Sequence, residues 1–130
     1  MSSLDKISRG GCHCGSVAFE VEGSPERVEQ CNCSICRKKG YLHWIVPRES
    51  FHLLTPMDNL ATYSFNTGVA KHYFCPNCGV AAFYVPRSHP DRIDVNVRCL
   101  EGIDPAALEI EQFDGANWEQ AIVAYRAARK

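Results

Sequence analysis

The sequence predicts a mainly β domain in which several small antiparallel sheets are held around bound metal, with one short basic helix and one C-terminal helix. Short apolar runs alternate with polar residues and are separated by turns rich in Gly, Pro and Asn, which is typical of an all-β domain. Cysteines cluster in several of the intervening turns. Near the end of the chain the apolar period changes to that of an amphipathic helix.

Length and composition predict one domain, 1–130, in a reducing compartment. The net charge of −1 gives no overall attraction to nucleic acid or to an anionic membrane. Residues Met1 to Gly11 lack the apolar core of a signal peptide, and the longest apolar run, Val80 to Val85, is too short to span a bilayer. We therefore expect a cytoplasmic protein, in which eight clustered cysteines indicate metal more often than disulfides.

The strands follow from period-2 alternation. Val17, Phe19 and Val21 are the clearest case, and Gly23-Ser24-Pro25 ends their strand. In chain order, strands are predicted at 17–21, 27–31, 42–46, 51–54, 60–65, 71–74, 82–85 and 93–97, with a turn at Asn66-Thr67-Gly68.

Two helices complete the prediction. Ser34 is a candidate N-cap of a short helix through Arg37, Lys38 and Lys39. At the C-terminal end, apolar residues recur at i, i+3, i+4 and i+7, namely Trp118, Ala121, Ile122 and Tyr125. Asn117 with Gln120 is a candidate capping pair, and we expect this helix to pack on the sheets.

The densest cysteine group is Cys31, Cys33 and Cys36, three thiols in six residues. Cys-x-Cys side chains point apart on an extended backbone, whereas a tetrahedral cation ~2.3 Å from each sulfur can gather them. The unpaired N–H groups of the helix's first turn favour a thiolate at Cys36. Because three protein ligands leave a fourth position open, the triplet predicts a catalytic zinc.

The outer cysteines predict a second, structural zinc. Cys12, Cys14, Cys75 and Cys78 supply the four thiolates of a closed site, and the turn ending in Gly79 has the form of a zinc-ribbon knuckle. This partition, with two zinc ions per chain, is the simplest of several.

Other ligand sets stay open at this point. Cys99 can complete a four-thiolate site with the triplet, although a buried inert thiol is the commoner role for such a cysteine. His13, His43 or His72 can supply a nitrogen ligand, although histidines are more often simply hydrogen-bonded. Iron also accepts four thiolates.

The residues around the triplet suggest an anion site. Arg37, Lys38 and Lys39 can receive an anionic ligand at the metal, or can form a solvated basic turn. Four aromatic residues can wall a pocket or belong to the core: Tyr41, Trp44, Phe74 and Tyr84.

Three motifs resemble those of a known family. Gly-Gly-Cys-His-Cys-Gly (10–15), Cys-x-Cys-x-x-Cys-Arg-Lys (31–38) and Cys-Pro-x-Cys-Gly (75–79) are similar to the metal motifs of the glutathione-dependent formaldehyde-activating family. The resemblance runs roughly from Ile7 to Ile122. It is greatest toward the centromere protein V-like branch, in residues 31–39, 43–47, 62–67, 74–87 and 113–119.

The resemblance implies an Mss4-like fold with the same two zinc sites. It implies that the thiol of glutathione binds the zinc held by the triplet and adds to formaldehyde, giving S-hydroxymethylglutathione. From its position beside the triplet, Arg37 or Lys38 is expected to attract the carboxylates that glutathione carries. Asn32 stands where the founding enzymes commonly carry His. We therefore expect a zinc-dependent carbon–sulfur lyase acting on a small-thiol/aldehyde adduct. The alternative is a zinc-stabilised protein-binding module in which both metals are structural.

Overall fold

The computed structural model describes residues 6–65 and 67–128, and within them the chain is mainly β, as predicted. The predicted turn residue Asn66 lies outside the described residues. The strands are β1 (Ile7–Gly11), β2 (Ala18–Glu22), β3 (Arg27–Cys31), β4 (Leu42–Pro47), β5 (Phe51–Leu53), β6 (Ala61–Tyr63), β7 (Lys71–Phe74), β8 (Phe83–Val85), β9 (Arg92–Asn96) and β10 (Glu109–Phe113). The α-helices are α1 (Ser34–Lys39) and α2 (Trp118–Ala128).

The strands form two sheets within the described residues. β1, β2 and β5 make a three-stranded antiparallel sheet in the order β1-β2-β5. The other seven make a sheet in the order β10-β3-β4-β9-β8-β7-β6. Its pairs are antiparallel except that β10 runs parallel to β3, so this sheet is mixed and not purely antiparallel as expected. A parallel pair needs a crossover connection, which the chain between β3 and β10 supplies.

β1 and β10 were not among the predicted strands. β1 contains Gly10 and Gly11 and has no apolar alternation. Gly10 is required there because an added Cβ would lie 2.5 Å from the Cys99 carbonyl oxygen. β10 is an edge strand whose Ile110 is 41% exposed, so the burial that usually marks a strand is absent.

The core lies between the two sheets. Phe19 on β2 packs against Phe51 on β5 (centroids 5.1 Å apart) and Phe83 on β8 (6.1 Å). Val21 and Val95, from the two sheets, are completely buried beside them. Burying each such side chain contributes about 1.5–3 kcal/mol, so the alternating residues of both sheets stabilise the domain together.

The helix ends differ from the sequence prediction. The N-cap of α1 is Cys33 and not Ser34, because the Cys33 sulfur accepts a hydrogen bond from the Cys36 amide (3.4 Å). A 3-10 turn, Gly115–Asn117, leads directly into α2. There the Asn117 side-chain amide donates to Asp114 (3.0 Å), where a capping pair with Gln120 was expected.

α2 packs on the seven-stranded sheet, as predicted. Ile122 is buried, the Tyr125 hydroxyl donates to Glu29 on β3 (2.7 Å), and the Tyr125 ring lies 5.4 Å from that of Phe113 on β10. In the part of the chain that the structure describes, no helix is long and apolar enough to cross a membrane.

Candidate metal centres and the adjoining cavity

The outer cysteines meet where the two sheets adjoin. Cys12 and Cys14 lie in the turn between β1 and β2, and Cys75 and Cys78 lie in the turn after β7. Their four sulfurs are all within 4.8 Å of one another, and the Cys14 sulfur is 3.6 Å from those of Cys12 and Cys75. A tetrahedral site with ~2.3 Å metal–sulfur bonds has sulfurs ~3.8 Å apart. The four-cysteine cluster is therefore compatible with one metal ion.

Local hydrogen bonds favour the thiolate form in this cluster. The Ser16 hydroxyl and the Asn77 amide lower the pKa of Cys14 to about 5. Backbone N–H groups, chiefly that of Val80, lower the pKa of Cys78. Since the thiolate is the form that ligates metal, the turns prepare these side chains for a cation.

The inner cluster is built by the end of β3 and the start of α1. The sulfurs of Cys31, Cys33 and Cys36 are all within 4.8 Å of one another. Hydrogen bonds from Cys31 and Cys36 lower the pKa of Cys33 to about 2. The same bond with Cys33 raises the pKa of Cys31 to about 11, and bonds to Cys31 and Cys33 raise that of Cys36. The three thiols thus titrate as one group, whose remaining protons a metal would displace.

Among the described residues, neither Cys99 nor any histidine joins either cluster. The Cys99 sulfur is 3.9 Å from the Ala81 carbonyl oxygen, and burial raises its pKa to about 11, with Cys12 and Cys78 adding to the shift. The charges that act on Cys99 thus belong to the outer cluster. The sequence had left open that Cys99 completes a four-thiolate site with the triplet.

Asn32 and Gly115 hold the triplet against the start of α2. The Asn32 amide donates to Asp114 (2.9 Å) and its oxygen accepts from the Ala116 N–H (2.9 Å). A Cβ added to Gly115 would overlap the Cys31 sulfur and lie 2.9 Å from the Cys33 Cβ. Sequence reasoning marked Asn32 only as a departure from a family pattern, and it missed Gly115.

The triplet borders a cavity of about 560 Å³, whereas the described lining includes none of the outer cysteines. This volume is in the range of small-molecule sites. Beside the triplet, the cavity is lined by side chains that include Arg37, His43, His72, Tyr84, Arg87, Asp94, Trp118 and Glu119. Arg37 is in the lining and Lys38 is outside it. The role of both residues in binding substrate stays a prediction. Of the four aromatic residues considered as walls, Tyr84 is in the lining.

A buried ion pair lies in the cavity wall. His43 Nδ1 is 2.7 Å from Asp94 Oδ2, and the two side chains are 4% and 1% exposed. The pKa of His43 is raised: burial, the largest single effect, lowers it, but the charge and hydrogen bond of Asp94 together with the charges of Glu29 and Cys33 outweigh burial. His43 Nε2 and Asp94 Oδ1 have no partner among the described residues. In the sequence, this pair was indicated only by the alternation of Ile93, Val95 and Val97, because that alternation places Asp94 on the opposite face of the strand.

Comparison with known proteins shows which proteins this chain resembles. The model of the family described as "Glutathione-dependent formaldehyde-activating enzyme" matches residues 7–115. A crystal structure of a Rhodobacter sphaeroides protein is 34% identical and superposes with a TM-score of 0.72. That similarity covers 79% of this chain and 99% of the other.

Proposed function

Because the chain belongs to the glutathione-dependent formaldehyde-activating family, we propose that it is a zinc-dependent carbon–sulfur lyase that forms or cleaves the adduct of a small thiol and an aldehyde. One observation carries the proposal. The three-sulfur cluster borders the cavity, while the four-sulfur cluster, which is a complete tetrahedral donor set, is not part of its lining. A cation at the triplet would therefore have one ligand to gain from the cavity side.

We assign zinc to both clusters, two ions per chain. Cys12, Cys14, Cys75 and Cys78 would hold the structural ion, whose role is to join the sheets. Cys31, Cys33 and Cys36 would hold the ion at which chemistry takes place. The all-sulfur donor sets and the 3.6 Å sulfur separations support zinc in preference to hard cations, which prefer oxygen.

The chemistry is addition of a thiol to a carbonyl. Bound zinc deprotonates a thiol at neutral pH. In the forward reaction a sulfur–carbon bond forms, the carbonyl π pair moves to oxygen, and that oxygen takes up the proton that the thiol has lost. Arg37 would attract a substrate carboxylate, and the largely buried rings of His72 and Tyr84 would exclude water from the reacting atoms. The family resemblance implies glutathione and formaldehyde as the pair.

The proposal also includes a branch of the family and a cellular location. We propose that the chain belongs to the centromere protein V-like branch of the family, and the motif similarity in residues 31–39 and 74–87 supports this assignment. The clustered thiols suit a cytoplasmic location, where they stay reduced and available to metal.

Cobalt substitution tests the proposed function. Co²⁺ at the triplet reports a fourth sulfur through its thiolate-to-metal absorption, so glutathione should change the spectrum of the wild type. Cys36→Ser should abolish this response, and the matched substitution Cys99→Ser should leave it intact, because Cys99 is in neither cluster. Exchange of formaldehyde with glutathione, followed by NMR, should be faster with the wild type than without protein. If no small thiol alters the spectrum and the protein does not accelerate exchange, the lyase proposal is wrong and the protein-binding module is the better assignment.

A further inference from the structure

We infer that Arg87, Trp118 and Glu119 form a carboxylate-binding subsite in the cavity, which selects thiols that carry a carboxylate in addition to the sulfur. The inference rests on the proposed function, since it concerns which thiol the triplet receives. It adds a second arginine to the Arg37 of α1, from the loop that follows β8.

The Arg87 guanidinium is held in a fixed orientation. Its central carbon lies 3.7 Å from the centroid of the Trp118 ring, and Nη2 is 3.3 Å from Glu119 Oε1. Stacking on an aromatic face fixes the plane of the guanidinium and leaves its donors directed outward in that plane. Within residues 6–65 and 67–128, the Arg87 side chain donates a hydrogen bond to Glu119, although a guanidinium has five N–H donors. Donors therefore remain for a ligand.

The bond to Glu119 is one that a ligand can replace. The Glu119 side chain is 85% exposed, whereas that of Arg87 is 27% exposed. An ion pair with one largely solvated partner is weak and is screened by salt. A substrate carboxylate approaching from the cavity can make two parallel charge-assisted bonds to the same guanidinium. Glu119 then serves to hold Arg87 in place while no ligand is bound.

The carboxylates of the cavity leave its two arginines available to an anionic ligand. The acidic side chains in its described lining already have partners: Glu29 accepts from Tyr125, Asp94 pairs with His43, and Glu119 contacts Arg87. Arg37 carries no ion pair among the described residues. Two arginines thus face a cavity whose acids are engaged, and glutathione carries two carboxylates that can neutralise them.

The residues that orient Arg87 lie outside the family match. That match ends at residue 115, whereas Trp118 and Glu119 form the first turn of α2. Arg87 itself is within the matched region. The subsite therefore joins a residue inside the matched region to the first turn of α2, so that α2 affects thiol preference in this chain.

Steady-state exchange kinetics test the subsite with two substrates, glutathione and its diethyl ester, which keeps the thiol but lacks both free carboxylates. Arg87→Gln should raise the KM for glutathione about tenfold or more, as expected for loss of a charge-assisted pair, with kcat changed less than about twofold. For the ester, Arg87→Gln should not change KM. Arg9→Gln is the matched control, because Arg9 also pairs with a glutamate (3.0 Å) but does not line the cavity. It should change neither constant.

Trp118→Leu provides a second variant should Arg87→Gln fold poorly, and it should raise the KM for glutathione alone. An equal rise for both substrates, or no rise for either, would overturn the subsite while leaving the lyase intact. If the wild type exchanges no aldehyde with any thiol, the proposed function fails. Calorimetric titration with glutathione then decides the subsite separately: binding weakened by Arg87→Gln supports it, and no binding, or binding equal in both proteins, overturns it.

Discussion

His43 and His72 line the same cavity, yet their surroundings shift their pKa values in opposite directions. Asp94, 2.7 Å away, raises the pKa of His43 against the effect of burial. Burial lowers the pKa of His72 to about 4, and the positive charge of Lys39 adds to the shift. His72 stacks on Tyr84 with centroids 4.7 Å apart. His72 is therefore a neutral aromatic wall at physiological pH, while His43 keeps a proton to higher pH.

We predict that His72→Phe makes stability less sensitive to acid. The unfolded chain binds a proton at this histidine below pH ~6.5, whereas the folded protein does so only near pH 4, so the wild type loses stability as pH falls through this window. Phenylalanine keeps the stacking and removes the proton. Denaturant unfolding at several pH values should show a shallower decline for the variant.

The exposed His52 supplies the control, since His52→Gln should leave the decline as it is in the wild type. Protonation of the metal ligands contributes to all three proteins, so only the difference between them reports on His72. An equally steep decline in His72→Phe would mean that this residue does not titrate in the folded protein as described.

The segment between β10 and α2 is the element on which the triplet depends. Gly115 is buried with its Cα against Cys31 and Cys33, and Asn32 is hydrogen-bonded to Asp114 and Ala116 on either side of it. The same segment leads into the turn of α2 that orients Arg87. One short stretch of chain therefore positions both the cysteine triplet and the proposed subsite.

We predict that Gly115→Ala disrupts the triplet and spares the outer cluster. The new methyl group would overlap the Cys31 sulfur, and relieving it should cost about 1–3 kcal/mol of folding free energy and move the sulfurs apart. Metal analysis should show loss of one of the two proposed zinc ions, with the outer ion as an internal standard. Ala116→Ser, one residue further along and exposed, should keep both. If Gly115→Ala retains all of its zinc and its cobalt response, the segment between β10 and α2 can shift without disturbing the triplet, and the prediction is wrong.

Across the whole molecule, the outer cluster connects the two sheets. Cys12 and Cys14 follow β1 of the three-stranded sheet, and Cys75 and Cys78 follow β7 of the seven-stranded sheet. A metal that binds all four closes a long loop of chain and removes much of the freedom of the unfolded state. Metal binding and folding are therefore expected to be coupled.

We predict that Cys75→Ser gives an insoluble or poorly structured protein, because the buried Cys75 would be one of four ligands of the ion proposed to join the sheets. Cys99→Ser should change the melting temperature little. Circular dichroism and thermal melting of the two variants measure the difference. The reverse order of stability would identify Cys99 as a ligand and the four-cysteine assignment as wrong.

Local sequence determined much of this protein. The alternation around Val17, Phe19 and Val21 predicted a strand because side-chain direction has a period of two along an extended chain. The spacing of Cys31, Cys33 and Cys36 predicted a cluster because thiols so close in sequence cannot separate far in space. The pairs Cys12/Cys14 and Cys75/Cys78 were assigned to one site because a closed site takes four ligands and the two pairs supply that number.

Only the tertiary structure shows the cavity and the side chains that line it. Asn32 and Asp114 are 82 positions apart, and His43 and Asp94 are 51 apart, so neither contact has a local signal. The parallel pairing of β3 with β10 brings the start of α2 to the triplet, and with it Gly115, Trp118 and Glu119. The spacing of cysteines predicts which of them form a cluster. The partners of Arg87 and His43 instead depend on strand order and register, which only the packing of the whole chain determines.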